Sequence, residues 1–220
     1  MSLTFYYAPG ACSLGVHIAL EEAAADYTPR LVQLAAGEQR QPDYLAINPS
    51  GRVPALRTPE GVLTECAALL TYVARRHPQA GLLPDDAFAA AQAAQWLAFL
   101  GSSVHVAFAQ SFRPERHTDD PAAQAALKAA APARVRAHLR RLEDHFAANR
   151  SEGRGPWLLG DRYSVADPYA LVFHRWLPRL DIDPADYPAW GHQADRLYQR
   201  PAVRRALEQE GLAIPLSVAA

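Results

Sequence analysis

The chain has little of what marks several large classes of protein. Its 220 residues hold only two cysteines, too few for a disulfide framework and not spaced as C-x-x-C, so free thiols in a reducing, cytoplasmic setting are expected. Charge of one sign is not in excess. Lys and Arg number 22 against 23 Asp and Glu, a net charge of -1, and no global field favours nucleic acid or an anionic membrane as partner. Arg134, Arg136, Arg140 and Arg141 do cluster, and they read as the solvated face of a helix. No apolar run is long enough to span a bilayer, so no membrane segment is expected. Residues Met1 to Tyr7 lack the basic region and long apolar core of a signal peptide. The eight histidines show no metal-ligand spacing, so no metal is expected. G-x-G-x-x-G after the first strand, a Walker loop and G-x-S-x-G are all missing. There is no heptad pattern and no repeat of fixed period.

What is there is half apolar by composition, enough for a substantial core in one large domain or two small ones. Leu3 to Tyr7 reads as a buried strand broken by Ala8-Pro9-Gly10. A helix follows from about Ser13 to Ala25, with one apolar and one charged face expected. Tyr27 to Leu34 reads as a strand, Pro42 to Ile47 as a short helix, and Asn48-Pro49-Ser50-Gly51 as a turn. Val53 to Arg57 and Val62-Leu63 predict a hairpin around Pro59-Glu60-Gly61. Ala67 to Arg76 predicts a helix stopped by His77-Pro78. The order β-α-β-(α)-β-β-α predicts a thioredoxin-like sheet, parallel in its first half and antiparallel in its second. Residues 78 to 85 carry the prolines and glycine of a linker. Beyond them strand-like alternation stops. Helices are expected over about 88–113, 122–149, 165–177, 190–199 and 202–209. Ser164-Val165-Ala166-Asp167 has the form of a capping box, a structural device with no chemistry of its own.

Three short segments point to chemistry. Cys12 stands after the first strand at the first turn of a helix, where unpaired amides and the helix dipole stabilise a thiolate. A free cysteine is otherwise often a small buried hydrophobe. Ser13 and Tyr6 are rivals as hydroxyl donors from the same neighbourhood. Val53-Pro54 precedes a strand. In a thioredoxin-like sheet a cis-proline there leaves the preceding residue's backbone free to pair with a peptide, whereas an ordinary edge proline does nothing of the kind. Glu65-Cys66 opens a helix. A carboxylate beside exposed helix amides suits a group that carries both an ammonium and a carboxylate.

The run Asn48-Pro49-Ser50-Gly51-Arg52-Val53-Pro54-Ala55-Leu56 resembles an "NP-x-G-x-VPAL" segment. With Cys12 before it and Glu65-Cys66 after it, the chain resembles the cytosolic glutathione S-transferases, specifically their bacterial beta class. The likeness extends to the capping box, which the family carries in its sixth helix, and to a last helix with Arg200-Pro201-Ala202-Val203 and Glu210-Gly211-Leu212. The resemblance implies a thioredoxin-like glutathione-binding domain over 1–78 and an all-helical domain over 86–220 that contributes the electrophile site. It implies a homodimer, no tightly bound cofactor, and glutathione as co-substrate for attack on a small hydrophobic electrophile. Cys12 and His105 would be catalytic. Cys12, Val53, Pro54, Glu65, Cys66 and His105 would hold glutathione, and Tyr6, Tyr7, Phe108 and Phe112 would meet the electrophile. His105 follows Trp96-Leu97-Ala98-Phe99 at the family's spacing. Ala98 replaces an Asn of that family, Cys66 a Ser or Gly, and only Gln39 or Arg40 stands near a missing Lys. Cys66 is open to two roles, a backbone amide or redox chemistry. Two other activities fit the same residues: a glutathione-dependent thiol-disulfide oxidoreductase, and a stress protein that binds glutathione without turnover.

Overall fold

A computed structural model of the chain describes residues 3–215. The outermost residues of the two expected domain spans, 1–2 and 216–220, lie outside the described residues. Strand β1 (Leu3–Tyr7) lies inside a sheet of order β2-β1-β3-β4, with β2 at Tyr27–Leu31, β3 at Ala55–Thr58 and β4 at Gly61–Thr64. It pairs parallel with β2 and antiparallel with β3, and β3 pairs antiparallel with β4. The parallel pair needs a crossover, which α1 (Ser13–Glu22) supplies. Thus the expected thioredoxin-like sheet is present. Strand β2 stops at Leu31 rather than Leu34, because the chain turns there into short 3-10 turns over Leu34–Ala36 and Glu38–Arg40. Next come α2 (Pro42–Leu45) and α3 (Cys66–Arg76).

The rest is helical: α4 (Ala87–Phe99), α5 (His105–Phe112), α6 (Pro121–Ser151), α7 (Ala166–Trp176), α8 (Pro188–Tyr198) and α9 (Pro201–Gln209). The single helix expected over 88–113 is two. A π-turn over Leu100–Val104 separates α4 from α5, and such turns re-aim the side chains that follow them. Among the described residues, no helix is long and apolar enough to cross a membrane.

Helix α1 corrects the expectation of one apolar and one charged face. Every residue from Ser13 to Leu20 is buried. The helix lies against β1 and α3 on one side and against α7 and α9 on the other, and a helix covered on all sides has no solvent stripe to keep polar. Its one imidazole, His17, is fully buried and paired, with Nδ1 2.9 Å from Glu210 Oε1 and Nε2 2.7 Å from Gln209 Oε1.

The capping box at the head of α7 forms with both of its reciprocal bonds. Ser164 Oγ accepts the Ala166 N–H at 3.3 Å, and Asp167 Oδ2 accepts the Ser164 N–H at 2.8 Å. The other oxygen, Oδ1, accepts the Leu158 N–H at 2.8 Å, tying the irregular segment before α7 onto it. Burial pushes the Asp167 carboxyl up to about 6 despite these bonds. Asp167→Ala leaves the Leu158 and Ser164 amides buried without an acceptor. It is expected to lower stability by about 2–5 kcal/mol, read as an earlier midpoint in urea unfolding; an unchanged midpoint would refute the role assigned to this carboxylate.

Candidate active site

A cavity of about 680 Å³ lies between the sheet half and the helical half. Its walls come from the loop before α1, the loop before β3, the start of α3, and helices α4, α5 and α7. Chain geometry explains each contribution. The loop Asn48 to Val53 is fixed by its own polar groups: Asn48 Nδ2 donates to the Arg52 carbonyl at 2.6 Å, and Asn48 Oδ1 accepts from the Ser50 amide at 3.1 Å. Gly51 within it has φ +59, and a Cβ there would lie 2.9 Å from the Gln39 carbonyl oxygen, so no other residue fits without a shift. The Val53-Pro54 peptide bond is cis. Glu65, just before α3, has φ 69 and ψ 123. That conformation is costly for a residue with a Cβ, and such residues gather at functional sites.

Cys12 is 8% exposed and sits immediately before α1. Its Sγ lies 3.4 Å from the Val53 carbonyl oxygen, and Cys66 Sγ lies 3.6 Å from the Cys12 carbonyl oxygen. The Cys12 thiol is held well below the ordinary thiol range, first by a hydrogen bond from the Cys66 thiol and then by His105, against the opposing effect of burial. The same contact and burial push Cys66 well up. His105 Nδ1 lies 3.2 Å from the Tyr169 hydroxyl. Cys12, Cys66, Tyr169 and His105 gather as a ring of polar side chains at the base of the cavity. The Cys66 contact is a contribution beyond the helix end read in the sequence, and Cys12 makes no side-chain capping bond to α1. What the ring does is favour the thiolate form of Cys12, the form in which a thiol is nucleophilic.

Cys12, Val53, Pro54, Glu65, Cys66, His105 and Phe112 all line this cavity. Three expected residues do not. Tyr6 and Tyr7 are adjacent on β1 and so face opposite sides of the sheet. Tyr6 packs on Tyr44, 5.9 Å between ring centres, and Tyr7 packs on His17 at 5.2 Å. Phe108 is fully buried against Phe173 and Trp176; only Phe112, one turn later on α5, reaches the opening. The rival Ser13 is also committed elsewhere: its hydroxyl donates to the Ala8 carbonyl at 3.1 Å and accepts the Ala8 amide at 3.2 Å. Ala98, standing for the family's Asn, lines the wall.

Sequence reasoning missed Tyr169 and Trp176 on α7, and the arginines Arg52, Arg113, Arg116 and Arg179 that also line the cavity. Tyr169 carries one faint signal, its place two residues past the capping Asp167. The arginines carry none, because they come from three separate segments, with Arg113 and Arg116 in one turn. The arginine cluster that the sequence does display is spent elsewhere: Arg134 on Gln110, and Arg141 over the Trp96 and Phe99 rings.

A thioredoxin-like sheet joined to a helical half, with a thiol at the base of the cavity between them, defines a glutathione transferase fold. Comparison with known proteins agrees. The family model "Glutathione S-transferase, N-terminal domain" matches residues 1–75, and "Glutathione S-transferase, C-terminal domain" matches residues 103–201. Glutathione S-transferase GstA of Escherichia coli O157:H7 is 32% identical over 96% of this chain and 100% of its own length. A glutathione transferase homolog from Sulfitobacter, solved with bound glutathione, superposes with a TM-score of 0.89 at 40% identity, covering 96% of this chain and 99% of that one. A sphingomonad glutathione S-transferase complexed with glutathione gives 0.82 at 41% identity, over 96% of this chain and 100% of that one. The chain belongs to the glutathione S-transferase family of enzymes.

The ring at Cys12 makes a prediction independent of substrate. Alkylation of Cys12 by iodoacetamide, followed by peptide mapping against pH, should stay fast to a pH well below the ordinary thiol range. Cys66→Ala and His105→Ala each remove a donor to the thiolate, so each should move the midpoint up. Cys66→Ser keeps a donor and should stay near the wild type. A wild-type midpoint at the ordinary thiol value would overturn the ring.

Proposed function

We propose that the chain is a beta-class glutathione transferase that conjugates glutathione to small electrophiles, with Cys12 facing the glutathione sulfur. The observation that carries this is the Cys12 thiol at the base of a cavity that also holds Glu65 and the head of α3. Glu65 takes the ammonium of the γ-glutamyl group, and the Cys66 amide at the head of α3 takes its carboxylate. The backbone at Val53 pairs with the cysteinyl unit. The Cys12 thiolate then receives the S–H proton as the glutathione sulfur attacks, and His105 steadies the charge on Cys12. Holding nucleophile and electrophile in one cavity supplies proximity. Phe112, with Trp176, offers the electrophile an apolar surface. The same reading takes the chain as a cytoplasmic homodimer with a detoxifying role, divided into domains at residues 79–85.

A second reading is favoured by Cys66, whose thiol lies against Cys12: a glutathione-dependent thiol-disulfide oxidoreductase in which Cys12 exchanges with a disulfide. Three assays separate the readings. Turnover of an aryl halide with glutathione supports the transferase, and reduction of a mixed disulfide supports the oxidoreductase. Retention on immobilised glutathione with neither turnover supports a binding protein.

Two outcomes are expected. Glu65→Ala should weaken glutathione binding by about 1–3 kcal/mol, the loss of a charge-assisted partner, measured by calorimetric titration; an unchanged dissociation constant would remove Glu65 from the site. Incubation with oxidised glutathione should leave an adduct on Cys12 in peptide maps, absent in Cys12→Ala. An adduct on Cys66, or on neither cysteine, would refute Cys12 as the site thiol.

A further inference from the structure

The cavity carries more positive charge than glutathione uses. Arg52, Arg113, Arg116 and Arg179 line it, and Glu65 is the one acidic side chain among the described lining residues. None of the four arginines takes part in a salt bridge among the described residues. They also crowd one another. Burial, and repulsion from Arg52 and Arg113, press the Arg116 pKa down, while burial and Arg113 do the same to Arg179. Like charges gathered without counter-ions around a concave surface concentrate anions there.

The four are not equivalent. Arg52, Arg113 and Arg116 also border an adjoining cavity of about 460 Å³ beside Gln39 and Arg40. Arg179 does not. It stands on the aromatic wall, in the turn Leu177–Leu180 that follows α7. Its guanidinium lies 4.3 Å from the Phe112 ring centre and 5.9 Å from that of Trp176. A guanidinium stacked on rings is held in place by its face and keeps its N–H edge for a planar anion, a recognition at which Arg surpasses Lys. Glutathione brings two carboxylates; the reading above assigns one to the α3 amide, and Arg52, Arg113 and Arg116, which border the adjoining cavity, are at hand for the other. Arg179 is left for something else.

We propose that the electrophile subsite is built for an anion: a conjugated electrophile bearing a carboxylate, which pairs with Arg179 beside Arg113 while its apolar part lies against Trp176, Val106 and Ala109. This rests on the reading of the cavity as a glutathione site, and it narrows the co-substrate from small hydrophobic molecules in general to unsaturated acids and their aromatic counterparts. No new bond-making step is added. The carboxylate anchors the molecule, and the glutathione sulfur attacks its electrophilic carbon as before.

The test uses 4-chloro-3,5-dinitrobenzoate, its neutral carboxamide, and the glutathione conjugate of each. Calorimetric titration of the wild type should give at least about tenfold tighter binding of the carboxylate conjugate than of the carboxamide conjugate, as a charge-assisted pair requires. Arg179→Gln should erase that preference, Arg179→Lys should keep part of it, and added salt should reduce it. The ratio between the two conjugates is the readout, so a general loosening of the wall near Phe112 cancels. Equal binding by the wild type, or a preference untouched by Arg179→Gln, would overturn the proposal. So would an equal loss of affinity for unmodified glutathione in Arg179→Gln, since Arg179 would then be a glutathione contact. Failure of the two readings is distinguishable. Carboxylate preference without turnover of either chloride keeps the anionic subsite and removes the transferase. Turnover of both chlorides without preference does the reverse. Binding of neither glutathione nor its conjugates removes both.

Discussion

Gly15 brings α1 so close to α7 that a Cβ on it would lie 3.1 Å from the Tyr169 Cα. That approach sets the distance between the two halves of the molecule at the point where the site forms. One helix carries Cys12 at its head and the other carries Tyr169 in its first turns, so the thiol ring exists only because these helices touch. Interiors are packed closely enough that a displacement at such a contact is passed on rather than absorbed. Tyr169 then lies 3.2 Å from His105 on α5, and groups from four segments meet at the base of the cavity.

The loop that presents Cys12 is held from the far end of the chain. Gly10 donates its amide to Glu210 Oε2 at 2.8 Å and accepts from the Trp176 indole at 2.8 Å. Glu210 also pairs with His17, both side chains without solvent exposure. Buried polar groups persist where hydrogen bonds satisfy each of them. Here Gln209 and the Gly10 amide do so. Residues nearly 200 positions away thus fix the approach to the thiol, and Trp176 serves twice, anchoring that loop and forming a wall of the cavity.

Two opposite electrostatic demands share one cavity. The thiolate at its base is stabilised by short-range donors, because burial alone would push it back toward the thiol. The arginines have no salt bridge among the described residues, and they retain charge because guanidinium hardly deprotonates even when crowded. A thiol held toward its charged form below a wall lined by arginines matches the anionic occupants proposed above.

Much of this was legible in the sequence. Hydrophobic alternation and turn residues set out the sheet order, since strand period and glycine or proline placement are local properties. The capping box declared the head of α7 for the same reason. Cys12, Val53-Pro54 and Glu65-Cys66 could be read as candidates because each adjoins its own strand or helix end. Other features had no local signature. Tyr6 and Tyr7 looked equally suited to the cavity until the pleat sent them to opposite faces. Phe108 and Phe112 differ only in which turn of α5 faces the core. The π-turn before His105, the ring that lowers the Cys12 pKa, and the gathering of Arg52, Arg113, Arg116 and Arg179 all depend on contacts between distant segments. The sequence by itself determined which kinds of element form and in what order, because those choices are made over a few residues; only the tertiary structure decided where β2 and the helix before His105 break and which side chains meet, because that depends on how distant segments pack.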